Sequence, residues 1–232
     1  MPIGRLPDGA WLCNRGFVFA PGGSGSEVVR DTMPLLVFEP TGELRDSIGS
    51  FPGPEWWVRS EAGNALATSL PFGRSTEALV VGDRFYAGHT ERYEIIRYTP
   101  AGVPELIVRL EHPQVRVTDA DIGRYKADRL KDTEAWIRQQ AERNYQEMPF
   151  PTTFPAFADL MKDPDGNLWV LDYSRPGDDT RRWTVFSPEG RALGTVETPA
   201  SLSVREIGRD YVLGVWQDEL DVEHVRLYAL RR

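Results

Sequence analysis

The sequence is poor in the residues that build disulfides and metal centres. It has one cysteine, Cys13, and three histidines, His89, His112 and His224. A single cysteine excludes an internal disulfide and a cysteine cluster for zinc. The histidines show no His-x-His or His-x-x-x-His spacing, which argues against a histidine metal site. Cys13 falls in a predicted strand, where we expect a buried and inert thiol.

The chain also lacks long apolar runs and an excess of basic residues. No apolar run approaches the ~20 residues of a membrane-spanning helix. There are 27 Lys and Arg against 35 Asp and Glu, a formal net charge of −8, which argues against a general nucleic-acid binder. Residues 1–16 lack the basic start and apolar core of a signal peptide. These residues leave the compartment open.

Motifs that carry a known chemistry are missing as well. The sequence contains no nucleophile elbow, no P-loop and no dinucleotide-binding glycine motif. The glycine-rich residues 22–26 precede no predicted helix, which a phosphate-binding loop needs. We therefore nominate no catalytic residue and no metal ligand, and binding is favoured over catalysis.

Turn-forming residues, by contrast, recur in a fixed pattern. The sequence aromatic-x-Pro-x-Gly occurs at 38–42, 98–102 and 186–190, each time between two candidate strands. Pro-Asp-Gly precedes a candidate strand at 7–9 and again at 164–166. Proline presets φ and glycine accepts a positive φ, so both patterns predict turns. Repeated four-strand meanders are typical of β-propeller blades, and a β-sandwich with repeated hairpins is the alternative.

Two segments carry a family resemblance. The sequence FPAFADLMKDPDGNLWV at 154–170 and the tail from 204 onwards resemble bacterial six-bladed β-propeller proteins of the NHL-like and TolB-like kind. The resemblance covers most of the chain. It implies an all-β fold of four-stranded antiparallel blades and little chemistry. Full-length members often carry export signals, which would imply an extracytoplasmic setting if the N-terminus is truncated.

The predicted architecture is a single propeller domain over 1–232 with one inserted α-helix. We place blades at about 3–51, 76–113, 156–199 and 202–230, the last lacking its outer strand. Since the resembled family closes with six blades, we expect the chain to be the C-terminal part of a longer protein. A misplaced start codon, a second chain that closes the ring, and a true four-bladed ring are the alternatives.

The inserted helix is predicted at about 118–147, where Leu130, Ile137, Ala141 and Tyr145 recur at helical spacing. Thr118 or Asp119 would cap its N-terminus. Such a helix would lie over one propeller face, as a lid or a docking element for a partner. The alternative is a helix packed on the side of the propeller.

Two other segments are predicted to be connections. Residues 20–26, APGGSGS, would form a flexible loop between the second and third strands. Residues 51–57, FPGPEWW, would link the first blade to the second. Their paired tryptophans, Trp56 and Trp57, would fill the gap between blades or form a ligand platform.

Two classes of function remain at this point. The first is a non-enzymatic propeller without a cofactor that binds an unknown protein or small molecule. Its candidate binding residues are an inner-strand carboxylate and four aromatic residues on second strands, namely Asp159, Tyr86, Trp169, Tyr173 and Trp216. The second is a metal-dependent hydrolase or lactonase of the NHL-like kind, with acidic ligands for a divalent metal such as calcium at the channel mouth. We favour the first, since a fold alone does not license an activity.

Acidic residues elsewhere have simpler explanations. Asp163 and Asp165 belong to a predicted turn. The acidic segment 218–223 lacks the ligand spacing of a calcium loop, so a solvated hairpin tip is expected there.

Overall fold

Antiparallel β-meanders make up most of the chain. A computed structural model describes residues 1–16, 25–61, 64–131, 133–218 and 222–230. Most of the predicted loop at 20–26 and residues 219–221 of the acidic segment lie outside the described residues. The described strands form four sheets, and the strands of each sheet follow one another in sequence order. The all-β expectation is confirmed at this level.

The four sheets are numbered in chain order. Sheet 1 consists of β1 (Pro2–Arg5), β2 (Trp11–Asn14), β3 (Gly25–Phe38), β4 (Leu44–Glu61) and β5 (Asn64–Ser69). Sheet 2 consists of β6 (Thr76–Val81), β7 (Arg84–His89), β8 (Glu94–Tyr98) and β9 (Pro104–Arg109). Sheet 3 consists of β10 (Phe157–Lys162), β11 (Leu168–Asp172), β12 (Thr180–Phe186) and β13 (Ala192–Pro199). Sheet 4 consists, among the described residues, of β14 (Leu202–Ile207), β15 (Tyr211–Gln217) and β16 (Glu223–Ala229).

The sheets pack face to face through separate apolar clusters. One cluster joins sheets 1 and 2 around Leu12, Leu35 and Phe85. A second joins sheets 2 and 3 around Ile95 and Phe157. The first strands also meet, since β6 packs against both β1 and β10.

A third cluster joins sheets 3 and 4 around Trp169, Trp183 and Ile207. Because sheet 3 is covered on both faces, every residue of β11 is buried. This explains why its sequence, LWVLD, shows no alternation of apolar and polar residues.

The repeated turn has the same hydrogen bonds in all three copies. The amide of the turn glycine donates to the carbonyl oxygen three residues earlier: Gly42 to Glu39 at 2.9 Å, Gly102 to Thr99 at 2.9 Å, and Gly190 to Ser187 at 2.8 Å. All three glycines have a positive φ, between 77° and 89°. The predicted turns are confirmed.

The Asp-Pro-Asp-Gly turn before β11 is held by one carboxylate. Asp163 Oδ1 accepts from the amides of Asp165 and Asn167, both at 3.0 Å. Its Oδ2 accepts from Asn167 Nδ2 at 2.7 Å and from Trp169 Nε1 at 3.3 Å. Asp163 therefore organises its own turn, as the sequence predicts.

Alanine in place of Gly166 should lower the free energy of unfolding by about 1 kcal/mol, because Gly166 has a φ of 81°. A Cβ there would touch nothing closer than 3.8 Å, so the loss would come from the backbone alone. Gly123→Ala is the matched control: the position is helical, and an added Cβ meets nothing within 4 Å. This change should raise stability by about 0.5–1 kcal/mol. Urea unfolding measures the free energy of unfolding of both variants. An equal change in the two variants would contradict the expectation.

The prediction of one helix is wrong in number, since two helices occupy this region. Helix α1 spans Asp119–Leu130 and α2 spans Ala135–Glu147. The amide and hydroxyl of Thr133 donate to the carbonyl oxygens of Leu130 and Arg129, and Glu134 is extended at the start of α2. Threonine and aspartate are weak helix formers that bond to nearby backbone, so the sequence KDT at 131–133 favours a break.

The expected connection at 51–57 is instead part of β4, which makes sheet 1 extend to Ser69. The register of β3 and β4 shifts between Arg30 and Thr32, and Pro52 pairs with Thr32 beside this bulge. Strand β5 pairs with β4 only from Trp56 onwards, so β5 forms no ladder with β4 at the prolines. Proline is tolerated at bulges and edges, and it does not end the strand here. Trp57 is buried with Leu70 and Met148 at the end of α2, which leaves it no surface for a ligand.

Candidate binding site at the loop end

The helices lie at one end of the sheets, which we call the loop end. In sheet 3, Phe157 pairs with Asp172, so the start of β10 and the end of β11 meet at this end. The β11–β12 connection and the links between consecutive sheets therefore gather there. The 110–156 link, which carries α1 and α2, is one of them.

Helix α1 begins with a complete capping box. Thr118 Oγ1 accepts from the amide of Asp121 at 3.3 Å, and Asp121 Oδ2 accepts from the amide of Thr118 at 2.9 Å. The amides of the N-cap residue and of the third helical residue are thereby satisfied. The sequence identified Thr118 as one of two cap candidates, and the structure selects it.

Asp121 also binds α1 to the β11–β12 connection. The Arg175 guanidinium donates to Asp121 Oδ1 through Nε at 3.1 Å and through Nη2 at 2.8 Å. Asp121 is fully buried, whereas 44% of the Arg175 side chain is exposed. Burial alone raises the pKa of Asp121, but its hydrogen bonds with Thr118 and Arg175 outweigh burial and leave the pKa lowered. The carboxylate is thus charged at neutral pH and holds the helix in place.

An aromatic cluster fills the space beneath the helices. It consists of Phe72, Tyr125, Tyr145, Phe150, Phe154 and Tyr173. The ring of Phe72 lies 4.8 Å from Phe154 and 5.3 Å from Tyr125, between centroids. Phe72 has a φ of 58°, an unfavourable conformation for a bulky residue. The contacts of its ring offset the cost of this backbone conformation, so the aromatic cluster holds the chain at Phe72 in place.

A groove of about 430 Å³ runs along α1 at this cluster. Its floor and walls include Phe72, Tyr125 and Tyr173, and burial raises the pKa of Tyr173 to about 12. We call it the α1 groove.

The α1 groove is also lined by charged side chains of both signs. Three arginines, Arg129, Arg175 and Arg181, line it together with two aspartates, Asp128 and Asp178. Arg175 is paired with Asp121, whereas within the described parts of the chain neither Arg129 nor Arg181 has an ion-pair partner. The Arg129 guanidinium lies over the Tyr125 ring, 5.7 Å from its centroid. Guanidinium groups beside aromatic rings are suited to an anionic ligand.

A second cavity, of about 460 Å³, lies near His112 and Tyr93. Its charges are largely compensated, because Arg109 donates to Glu94 at 2.8 Å and 2.5 Å while Glu91 and Glu111 add further negative charge. The second cavity is lined by more carboxylates than arginines, so the α1 groove is the better candidate for an anionic ligand.

The five residues nominated from the sequence do not come together. Tyr86 and Trp169 are buried in two different apolar clusters, and Trp169 donates to the turn carboxylate of Asp163. Trp216 lies in sheet 4 beneath the Arg226 guanidinium, 3.4 Å from the ring centroid. Tyr173 alone lines the α1 groove.

Asp159 lies elsewhere, exposed on the first strand of sheet 3. Burial raises the pKa of Glu77, on the neighbouring first strand of sheet 2, and the charge of Asp159 adds to this effect. The described residues contain no group of three His, Cys, Asp or Glu side chains placed to hold a metal ion.

Apart from Tyr173, sequence reasoning missed the residues that build the groove. Arg175 and Asp121 are 54 positions apart, and nothing in a linear pattern links them. Phe72 follows β5 in a short connection. It has a positive φ, which the sequence does not indicate because the residue is not a glycine. The only available signal was Asp121, as an acidic residue in the first turn of a predicted helix.

Comparisons with known proteins add no identification. No protein-family model matches the chain. A search of curated proteins finds no significant relative. Among the described residues, no helix has both the length and the apolar character needed to cross a membrane.

Proposed function

We propose that the protein is a non-enzymatic binding protein of β-propeller architecture. Four meander sheets in chain order support this fold, as do first strands that pack side by side. Each of the three repeated turns also follows the third strand of its sheet. Radial repetition of such sheets around a shared axis is the propeller arrangement.

The α1 groove is the binding site in this proposal. The observation that carries it is the ion pair between the buried Asp121 and Arg175, which fixes α1 across the loop end and leaves an open groove beside it. A groove of this size is within the range of small-molecule sites. The wall of α1 and the facing loop are already tied together, so binding requires little reordering of the protein.

Arg129 and Arg181, which have no ion-pair partner among the described residues, favour a small anionic ligand with a planar apolar part. Arg129 and Arg181 supply donors for a carboxylate or phosphate, and they do so in a protein of net charge −8. Tyr173 offers ring surface for the apolar part, and the Tyr125 ring supports the Arg129 guanidinium. Charge-assisted hydrogen bonds to two guanidinium groups would orient the anion.

Phenyl phosphate is a suitable first probe for this proposal. We expect it to bind with measurable heat in calorimetric titration, and benzyl alcohol, which lacks the anion, to bind at least tenfold more weakly. Arg129→Gln and Arg181→Gln should each weaken the binding of phenyl phosphate by about tenfold, the equivalent of one lost charged hydrogen bond. Arg226→Gln, in sheet 4, is the control and should leave the affinity unchanged. Binding that is equal in all four proteins, or equal for the two probes, would contradict the assignment.

A further inference from the structure

The first and last sheets each present an apolar face that no described residue covers. In sheet 1 this face carries Trp11 and Leu44, which are exposed, together with the half-buried Cys13, Leu36 and Phe38. Trp11, Phe38 and Leu44 lie opposite one another on adjacent strands, so they share one side of the sheet. We call this side the first face.

The repeated turn shows what a first face normally contacts. The aromatic residue that opens each turn packs against the preceding sheet: Tyr98 of sheet 2 contacts Phe51 of sheet 1, and Phe186 of sheet 3 lies in the cluster shared with sheet 2. The equivalent residue of sheet 1 is Phe38, and no sheet among the described residues packs against it on this side.

The residue of the second strand that pairs with this aromatic residue also faces the preceding sheet. Leu168 pairs with Phe186 and is fully buried, whereas Trp11 pairs with Phe38 and is 40% exposed. In sheet 3, the positions equivalent to Trp11 and Phe38 contact the sheet that comes before it in the chain. The exposed surface of Trp11 and Phe38 is therefore of the kind that packs against a preceding sheet.

Sheet 4 has the opposite half of such a contact. Its Val204 and Ile207 pack back onto sheet 3. The other side carries Val225 and Leu227, which are 75% and 63% exposed. Leu213 and Val215 pair with them on β15. This side, the last face, corresponds to the face that Trp169 of sheet 3 turns towards sheet 4.

Charges at matching heights support contact between the two faces. Arg5 pairs with Trp11 and so lies on the first face, two residues before the turn proline, Pro7. Glu206 pairs with Leu213 and lies on the last face, two residues before the turn glycine, Gly208. Both side chains are exposed at the same end of the first strand of their sheet. When a last face packs on a first face in the orientation of the three internal contacts, these opposite charges meet.

We propose that two copies of this chain associate head to tail, with the last face of each packed on the first face of the other. Each copy supplies one face of each kind, so two identical contacts close the assembly and leave neither face uncovered. The result is a ring of eight sheets, which is within the range known for propellers. The partner is thus a second copy, recognised by apolar sheet faces and an Arg5–Glu206 pair.

The mass in solution tests the proposal directly. At about 50 µM, light scattering after size-exclusion chromatography should give twice the chain mass of 26.2 kDa. Leu44→Arg damages the first face and Val225→Glu the last face, and both positions are exposed enough to leave the fold intact. Each variant alone should associate at least tenfold more weakly. A wild-type mass of 26.2 kDa at this concentration would overturn the proposal. The two faces would then have to be covered by something other than a second copy.

Mixing the two variants separates head-to-tail association from face-to-face association. Leu44→Arg retains an intact last face and Val225→Glu an intact first face, so the mixture should recover one contact and form a mixed dimer. Persistence of a homodimer in either variant would contradict the head-to-tail arrangement.

Cysteine cross-linking gives a readout that does not depend on disruptive charges. Cys13, the sole cysteine, lies on the first face. In Val225→Cys, a short bis-maleimide should join the two faces of neighbouring copies into a covalent dimer. The double variant Cys13→Ser with Val225→Cys should lose that product, and its retention would also overturn the proposal.

Discussion

Replacement of Phe157 by alanine is expected to lower the free energy of unfolding by about 3–5 kcal/mol. The side chain is fully buried between sheets 2 and 3, with its ring 5.8 Å from that of Tyr93. Its Cζ is also within 3.1 Å of where a Cβ on Gly88 would lie, so the fit is close on both sides. Truncation would remove apolar burial and open a cavity at once.

Urea unfolding followed by tryptophan fluorescence measures this effect. Leu193→Ala is the matched control, since this residue is also apolar and on a strand but is 59% exposed. It should change stability by no more than about 0.5 kcal/mol. A loss below about 1 kcal/mol for Phe157→Ala would mean that the two sheets do not depend on this contact.

Removal of Arg175 is expected to destabilise the loop end strongly. Arg175→Ala leaves the buried carboxylate of Asp121 without its cation and should cost about 3 kcal/mol. Asp121→Ala should cost less, about 2 kcal/mol for the lost capping box and charged hydrogen bonds, because the remaining arginine is partly exposed and can be hydrated. The double variant Asp121→Asn with Arg175→Met should be more stable than Arg175→Ala, since it buries no charge. Equal losses for all three would contradict this account.

The same pair predicts the acid dependence of stability. The pKa of Asp121 is lowered in the folded protein, so its contribution is fully present above the ordinary aspartate pKa of about 3.9. That contribution is lost as the pH falls through the lower folded pKa. Arg175→Ala should flatten this part of the stability curve. Arg209→Ala, which removes an exposed partner of Asp165, is the control and should cost no more than about 1 kcal/mol.

Local turn chemistry was the most predictable part of the structure. The three aromatic-x-Pro-x-Gly turns and the Asp163 turn depend on residues close in sequence, so their patterns predict their hydrogen bonds. The fate of Pro52 depends instead on a bulge and on where β5 begins to pair. The bulge and the start of β5 pairing depend on the neighbouring strands. The prolines considered alone therefore predicted a connection instead of a strand.

The site was less predictable because strand residues on both faces of a central sheet are apolar. Tyr86 and Trp169 carry the rings that a binding surface would use, yet sheets on either side cover them. Alternation along a strand distinguishes one face from the other, and it cannot tell which face a neighbour covers. Tyr173 differs because it follows the last residue of β11, where the chain leaves the sheet.

Each internal sheet offers a backward-facing and a forward-facing side, and every contact joins one of each. Insertion or loss of one whole meander would leave the two ends of the stack chemically unchanged. The number of sheets can therefore vary between descendants of such a gene without any new surface having to evolve. Substitutions within a contact are constrained by two sheets at once, whereas duplication of an entire unit reproduces both matching sides together. Tolerance to change in this protein is thus expected to be greater for whole repeats than for single residues.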